Sequence, residues 1–170
     1  MNAVTSFPPI VGNDPQILIL GSMPGIRSLE LNQYYGHPRN LFWIFMGEIC
    51  GASPDIDYQH RVEILQKSGI ALWDVLQHCE RPGSLDADIV TSSEVPNNIP
   101  DLLNQQPGIR AVAFNGRKAE QAFRKYIRPK LEAPQLAVLT FLPMPSTSPA
   151  NASIPKVEKL NRWLAIQKYL

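Results

Sequence analysis

The sequence predicts a single α/β domain, residues 1–170, in which helices flank a central, mostly parallel four-stranded sheet in three layers. Short apolar runs that end in small or polar residues alternate with segments of helical periodicity. Such alternation is typical of βαβ units, whose strands pair in parallel. A length of 170 residues suits one domain with its own core. Hydrophobic residues at 44% and charged residues at 18% exclude a disordered chain.

The first half of the chain supplies two strands and two helices. Residues 16–20 form a continuous apolar run that Gly21 ends, as in a buried parallel strand. Residues 40–51 and 57–68 carry apolar side chains at helical spacing. Residues 70–75 then form a second apolar run, which predicts the next buried strand.

The second half repeats this alternation. Residues 100–106 predict a helix, and residues 110–114 predict a strand that turns into a helix over 117–127. Residues 136–142 predict the fourth strand, and residues 154–170 a closing amphipathic helix. The side chains expected to face the core from this last helix are Val157, Leu160, Trp163, Leu164 and Ile166.

Several classes of protein are excluded by what the chain contains. Cys50 and Cys79 stand alone, which does not suggest a zinc or iron–sulfur site, so we expect no metal and no cofactor. The apolar runs are too short to span a membrane. The first residues lack a basic start and an apolar run, so we expect no secretion signal and a cytoplasmic protein. A monomer is the default expectation.

Charge is distributed unevenly along the chain. Residues 1–109 carry five Lys/Arg and twelve Asp/Glu, a net charge of −7, whereas residues 110–170 carry eleven and three, a net charge of +8. A basic cluster of this kind either contacts phosphates or forms an ordinary solvated helix face, and we favour the second interpretation for most of its members. The cluster consists of Arg117, Lys118, Arg124, Lys125, Arg128 and Lys130.

Ligands of parallel sheets bind beyond the carboxyl ends of the strands, here after Leu20, Leu72, Phe114 and Leu142. The loop after the first strand begins with a tight turn that contains Gly21, Pro24 and Gly25, which lets backbone N–H groups approach a ligand. More polar and aromatic residues follow than a connector needs, namely Tyr34, Tyr35, His37, Arg39 and Asn40. The loop over residues 142–153 is rich in Pro and Ser, which suits a stiff segment that grips phosphates.

These loops together resemble the uracil-DNA glycosylase superfamily, and its hypoxanthine-DNA glycosylase branch in particular. The segments that carry the resemblance are GSMPG (21–25), YYGHPRNLFW (34–43), GIALWDVL (69–76), CERPGSLD (79–86), AFNGRKA (113–119) and LPMPSTSPANAS (142–153). They occur in family order and span nearly the whole chain. The resemblance implies an α/β fold and an enzyme that flips a damaged nucleotide out of DNA and hydrolyses its glycosidic bond.

The resemblance assigns the water-orienting role to Asn40. Most members of the superfamily place Asp or Asn at the third position of the first motif, where this chain has Met23. The hypoxanthine branch shares that departure and uses the Asn before the Phe-Trp pair, which is Asn40 here. An amide oxygen can orient a water but is too weakly basic to deprotonate it. The alternative is that Asn40 caps the following helix, and both roles are compatible.

Base binding is expected from Tyr35 and Asp74, together with the turn Gly21, Ser22 and Met23. Tyr35 matches the position that stacks on the flipped base, a contact worth roughly 1–3 kcal/mol, whereas Tyr34 is the better core candidate. Asp74 matches a position that reads the base edge, and an ionised carboxylate could accept a hydrogen bond from N1–H of hypoxanthine. Another donor, such as a backbone N–H, would then serve O6. Alternatively, Asp74 caps a helix or pairs with Arg81.

Damaged DNA is the expected partner, followed by repair enzymes that process abasic sites. The expected DNA-contacting residues are His37, Arg39, Pro145, Ser146, Ser148, Pro149, Ala150 and Asn151. Pro149, Ala150 and Asn151 are the candidate wedge into the gap left by the flipped base. Lys118 is the only lysine in the motif segments, so we expect no Schiff-base lyase step and an intact abasic product.

The function predicted from the sequence is a monofunctional DNA glycosylase that acts on deoxyinosine. Met144 replaces the His or Asn of many relatives, which predicts weak activity on uracil. A uracil- or mismatch-specific glycosylase and a non-catalytic DNA-binding relative are the alternatives. A small nucleotide- or ester-processing enzyme lacks support, because the chain has no GxSxG motif and no P-loop.

Overall fold

The computed structural model of the chain describes residues 2–170. These residues form the strands β1 (Ala3–Thr5), β2 (Ile17–Gly21), β3 (Ile70–Asp74), β4 (Leu76–Glu80), β5 (Val95–Pro96), β6 (Ala111–Asn115) and β7 (Thr140–Met144). The helices are α1 (Ile26–Leu31), α2 (Phe42–Cys50), α3 (Tyr58–Lys67), α4 (Ile99–Gln105), α5 (Arg117–Ala122), α6 (Ala133–Val138) and α7 (Lys156–Trp163). Helix α5 continues as a π-helical stretch, Phe123–Ile127, and α7 ends in a 3₁₀ stretch, Leu164–Tyr169.

The central sheet confirms the predicted architecture. Its four strands lie in the order β3-β2-β6-β7, and every neighbouring pair is parallel. Strands β2 and β6, in the middle of the sheet, are buried along their whole length. Helices therefore cover both faces, which is why these strands occur in the sequence as continuous apolar runs rather than alternating ones.

Alternate residues of β2 divide the core into two halves. Leu18 and Leu20 face a cluster that includes Phe123 of the π-helical stretch. Ile17 and Ile19 face the opposite cluster, which includes Trp163 of α7. Successive side chains of a strand point to opposite faces, so one short strand contributes to both hydrophobic layers.

A second sheet was not predicted. Strands β1, β4 and β5 form a three-stranded antiparallel sheet with β4 in the centre. Strand β4 begins only one residue after β3, and its residues Leu76–Glu80 are partly polar and only partly buried. This pattern has no continuous apolar run, so periodicity alone does not separate β4 from a loop.

The prediction of a strand over residues 136–142 was wrong in its first half. Residues 133–138 form α6, and β7 begins at Thr140. Pro134 lies in the first turn of α6, and the Glu132 N–H donates to Gln135 Oε1 at 3.0 Å. Proline and a capping side chain favour a helix start, and they outweigh the β-like run that follows.

The closing helix was predicted correctly, but one of its expected core residues was not. Trp163 and Ile166 are fully buried, and Leu160 and Leu164 pack partly against the same cluster. Val157 is 71% exposed, because it lies on the solvent face of the first turn of α7. Within residues 2–170, no helix has the length and apolar character needed to cross a membrane.

We expect the two ends of this helical segment to respond differently to truncation. Ile166→Ala removes a fully buried side chain and should lower the free energy of unfolding by roughly 2–5 kcal/mol. Val157→Ala should change it by less than about 0.5 kcal/mol. Urea denaturation followed by circular dichroism measures both, and equal losses would contradict the assignment of the buried face.

Candidate active site at the carboxyl edge of the central sheet

A cleft of about 1310 Å³ opens where the four parallel strands end. The loops that follow β2, β6 and β7 contribute to its wall, as the sequence predicted. The expected loop after the second strand is absent, because β3 continues through Val75 into β4. That side of the wall is formed by Asp74, the last residue of β3, and by residues between 84 and 91 that follow β4. The predicted site residues that line the cleft are Gly21, Ser22, Met23, Tyr35, His37, Arg39, Asn40, Asp74, Pro145, Ser146, Ser148, Pro149, Ala150 and Asn151. Residues separated by more than a hundred positions in sequence thus share one surface.

Gly21, Tyr35 and Asp74 meet at the floor of this cleft. A Cβ atom added at Gly21 would lie 2.5 Å from Asp74 Oδ1 and 2.8 Å from Tyr35 Oη, so a side chain is excluded there. The strand register places Gly21 directly opposite Asp74. Among the described residues, Asp74 Oδ2 and Tyr35 Oη are buried and have no hydrogen-bond partner. The floor therefore presents one acceptor and one hydroxyl that the protein itself leaves unpaired.

Asp74 is 3% exposed, and its ionisation is strongly affected by this environment. Burial raises the pKa of Asp74 to about 7, the charge of Asp86 acts in the same direction, and the charge of Arg81 opposes both. The alternative of an ion pair is not realised: among the described ion pairs, none joins Asp74 to Arg81. Asp74 also ends a strand rather than preceding a helix. Neither structural alternative thus accounts for this carboxylate.

Tyr35 has a left-handed backbone conformation, with φ of 53°. Such a conformation costs a non-glycine residue about 1–3 kcal/mol and requires support from its surroundings. Support comes from both sides, since Trp43 Nε1 donates to the Tyr34 carbonyl at 2.8 Å and the Gly36 N–H donates to Ser28 Oγ at 2.9 Å. The Tyr35 ring stacks on Phe42, with centroids 4.2 Å apart. The strained backbone thus holds the ring at the cleft in a defined orientation.

The hydroxyl of Tyr35 remains protonated at physiological pH. Burial is the main cause that raises its pKa, and the charge of Asp74 adds to it. Tyr34, its neighbour, is the core residue that the sequence predicted: it is buried, and its hydroxyl donates to the Pro8 carbonyl at 2.8 Å. Both tyrosines line the cleft, but the Tyr34 hydroxyl is bonded to the protein backbone, whereas the Tyr35 hydroxyl is unpaired.

Asn40 lies at the rim of the cleft, immediately before α2. Its Oδ1 accepts a hydrogen bond from the Phe42 N–H at 2.9 Å, and its own N–H donates to the His37 carbonyl at 2.9 Å. The N-cap position of α2 is occupied by Leu41 rather than Asn40, but the Asn40 side chain still accepts from the first N–H of the helix from one residue further out. A carbonyl oxygen has a second lone pair, and the amide group has two donors, so the same interaction orients Asn40 without using up its hydrogen-bonding capacity.

The last loop is anchored to the rest of the domain by a buried side-chain pair. Asn115, at the end of β6, donates through Nδ2 to Thr147 Oγ1 at 2.9 Å and accepts from the Thr147 N–H at 3.0 Å. Trp163 Nε1 donates to the Pro145 carbonyl at 2.9 Å, and the Leu41 N–H donates to the Thr147 carbonyl at 3.0 Å. These contacts join the loop to the sheet, to α7 and to the start of α2.

Sequence reasoning missed residues that shape the cleft from outside the two main loops. Asp86 accepts from Ser22 Oγ at 2.5 Å and lies in the segment between β4 and β5 of the second sheet. Ser84 Oγ accepts from the Ile26 N–H at 3.0 Å. The motif CERPGSLD contains both residues, so the signal was present in the sequence, but their contact with the first loop depends on the antiparallel sheet that was not predicted.

The charged residues of the lining are of both signs. Positive charge comes from both halves of the chain, and the residues are Arg27, Arg39, Arg117, Lys118 and Arg162. Asp74, Asp86 and Glu120 supply negative charge. Lys118 pairs with Glu94, whose side chain is buried, so Lys118 is partly committed to the protein itself. Arg27 and Arg162 pair with glutamates of their own helices at 3.1 and 3.0 Å. Arg39 and Arg117 form no ion pair within residues 2–170, and they suit a ligand whose outer part is anionic.

Metal binding is not supported within residues 2–170, where no group of three or more His, Cys, Asp or Glu side chains is arranged to hold an ion. Met23 and Met144 line the cleft with apolar surface, and both are buried.

Known proteins resemble this chain in sequence and fold. The family model of the Uracil DNA glycosylase superfamily matches residues 8–166. Two curated relatives named Hypoxanthine DNA glycosylase, from Methanosarcina barkeri and Methanosarcina acetivorans, are 42% and 39% identical to this chain over 114 residues. The aligned residues cover 66% of this chain and 71% of each relative. A solution NMR structure of a candidate uracil DNA glycosylase from Methanosarcina acetivorans has a TM-score of 0.79 and 31% identity, and the alignment covers 98% of this chain and 97% of that one.

The raised pKa of Asp74 predicts a pH-dependent effect on stability. The unfolded chain loses this proton near pH 4, while the folded chain retains it up to about pH 7, so ionisation of Asp74 destabilises the fold as the pH rises through that interval. Asp74→Asn should therefore raise the free energy of unfolding at pH 8 by roughly 2–4 kcal/mol and leave it nearly unchanged at pH 4. Urea titrations at both pH values measure this, with Asp14→Asn, at an exposed position, as the matched control. A gain that is the same at both pH values would contradict it.

Proposed function

Because the chain belongs to the uracil DNA glycosylase superfamily, we propose that it is a monofunctional DNA glycosylase that removes hypoxanthine from deoxyinosine in DNA. The observation that carries the choice of base is the pair of buried, unpaired oxygens at the cleft floor, Asp74 Oδ2 and Tyr35 Oη. A buried polar atom without a partner costs about 1–3 kcal/mol, and a ligand that supplies the partner recovers that free energy. The names of the two Methanosarcina relatives support the same base.

Asp74 is proposed to read the Watson–Crick edge of the flipped base. Hypoxanthine presents a donor at N1, which an ionised carboxylate accepts, whereas adenine presents an acceptor at the same position and is repelled. A site with a buried acceptor discriminates strongly against a base that lacks the matching donor. With such a base bound, the Asp74 carboxylate would stay desolvated and unpaired. Excision of adenine, the undamaged parent base, is thereby avoided.

Tyr35 and Asn40 are proposed to hold the base and the water. One face of the Tyr35 ring is covered by Phe42, so the base stacks on the opposite face. The Asn40 amide, fixed by the Phe42 N–H, orients the water that attacks the deoxyribose carbon. The transition state resembles an oxocarbenium ion, so positioning of the water and stabilisation of the leaving base dominate the catalysis.

The DNA strand is proposed to follow the rim of the cleft. His37, Arg39, Ser146 and Ser148 line it and supply donors for phosphate oxygens. His37 Nδ1 accepts from the Arg39 N–H at 3.0 Å, which leaves Nε2 of the neutral ring as a donor. The residues Pro149, Ala150 and Asn151 would fill the gap in the duplex.

The product is proposed to be an intact abasic site in DNA. Such a site is passed to enzymes that cleave abasic DNA, which are the expected downstream partners. We propose that the protein acts as a monomer in the cytoplasm and that residues 1–170 form one functional unit.

Substitution of Asn40 tests the reaction directly. Asn40→Ala should lower the single-turnover rate on a deoxyinosine duplex by about 10²-fold or more, because the water is no longer positioned. Oligonucleotides with one deoxyinosine or one deoxyuridine, treated with hot alkali after reaction, report the abasic product. Uracil cleavage alone would keep the family and reject hypoxanthine as the substrate. Cleavage of neither base with intact DNA binding would support a non-catalytic DNA-binding protein.

A matched variant separates catalysis from helix capping. Asn40→Ala also removes the acceptor for the Phe42 N–H, a loss of about 0.5–2 kcal/mol in stability. Asn40→Ser keeps a capping oxygen on a shorter side chain, so it should restore stability without restoring the rate. If Ser restored both, Asn40 would be a structural residue only.

The pH dependence of cleavage tests Asp74. Because the pKa of this carboxyl is about 7 and the ionised form is the stronger acceptor for N1–H, deoxyinosine cleavage should rise between about pH 6 and pH 8. Asp74→Asn should lose most of this activity and the rise with it, and it should gain on deoxyuridine, since an amide serves the edge of uracil. A pH profile of Asp74→Asn identical to that of the wild type would exclude Asp74 as the reader of the base.

A further inference from the structure

Lys159 is a buried lysine that none of the roles described above uses. It is 2% exposed and lies in the first half of α7. Burial of an ammonium group costs several kcal/mol unless it is well paired, and the amino-terminal half of a helix is an unfavourable place for a positive charge. Burial also lowers the pKa of Lys159. A methionine or leucine would fill such a position at lower cost, so the amino group itself calls for an explanation.

Both hydrogen bonds of Lys159 go to one loop. Its Nζ donates to the carbonyl of Ser146 at 2.8 Å and to the carbonyl of Asn151 at 2.5 Å. These two carbonyls flank the segment Thr147–Ala150. The Lys159 ammonium group therefore links the start of this segment, at Ser146, to its end, at Asn151. Hydrogen bonds with a charged donor are roughly twice as strong as neutral ones.

The segment between these two points depends on this connection. Thr147 is fixed by Asn115, but the hydrogen bonds made by Ser148 and Ala150 within the described part of the chain stay inside the loop. The Ser148 N–H donates to Ser146 Oγ, and the Ala150 N–H donates to Ser148 Oγ, both at 3.2 Å. Residues 148–150 therefore form a tip with its own turns and no direct bond to the body of the protein.

The small size of the tip makes its rigidity important. A wedge that opens a base stack usually has a bulky apolar side chain, whereas this tip offers Pro149 and Ala150. Small residues occupy the gap only if their backbone is held in position, since a mobile tip would lose conformational entropy on insertion. Lys159 supplies that constraint from the C-terminal helix.

We propose that Lys159 is a positioning residue that holds the tip, residues 148–150, ready for insertion into duplex DNA. This inference rests on the proposed function, since it assigns the tip to duplex opening. Its role is confined to the opening of the duplex, because a single-stranded substrate has no base pair to break and no gap to fill. Lys159 neither contacts the reacting atoms nor forms a covalent intermediate.

Lys159→Met is the test, assayed by single-turnover cleavage of one deoxyinosine oligonucleotide as a duplex and as a single strand. We expect the rate on the duplex to fall at least about tenfold and the rate on the single strand to change by less than about threefold. Lys156→Met removes the same charge from an exposed position of the same helix and should leave both rates unchanged. Thermal unfolding is measured in parallel, and Met at a buried lysine position is expected to preserve the fold.

The outcomes separate the two proposals. A wild-type protein that cleaves neither form of deoxyinosine would overturn the proposed function. Cleavage by the wild type with equal losses of Lys159→Met on both substrates, or with no loss, would overturn the role of Lys159 alone. Should Lys159→Met fail to fold, Lys159→Gln retains two donors on a shorter, uncharged side chain, and the same selective loss on the duplex is required of it.

Discussion

The parallel register of β2 with β3 and β6 is the constraint on which the rest of the structure depends. It sets Gly21 opposite Asp74 and Leu20 opposite both Trp73 and Phe114. The strands therefore end at one edge of the sheet, with neighbouring strands roughly 4.8 Å apart. Each loop then starts within a short distance of the next. The cleft follows from this register, because its lining residues come from several loops that the strand ends bring together.

Close approach at Gly21 creates the polar floor of the cleft. The absence of a side chain allows Asp74 and Tyr35 to share this space, and burial leaves an oxygen of each without a partner. The cost appears in the raised pKa of Asp74 and in the left-handed backbone of Tyr35. Costs of this kind concentrate at functional sites, where the recognition of a ligand offsets them. On the proposed function, the stability of the fold and the choice of base are thereby linked through one carboxyl group.

The C-terminal segment connects the hydrophobic core to the DNA-facing rim. Trp163 is fully buried in one core cluster and also donates to the Pro145 carbonyl, while Lys159, one turn earlier, reaches Ser146 and Asn151. The same helix thus stabilises the domain and fixes the loop that is proposed to enter DNA. In the proposed role, rigid support of a small wedge replaces the bulk that a larger side chain would provide.

The sequence by itself determined the family, most of the parallel strands and the cleft residues of the two main loops, because continuous apolar runs and the motif segments are local features of the chain. It did not determine the second sheet, which depends on pairing between distant strands, or the exposure of Val157, which depends on how α7 packs. The helix over 133–138 has a local signal in Pro134 and Gln135, but the β-like run after it indicated a strand. Nor could the sequence reveal that Lys159 reaches back to Ser146 or that Asp86 accepts from Ser22. These contacts were decided by tertiary structure, because hydrogen bonds between segments far apart in sequence leave no periodicity for the sequence to display.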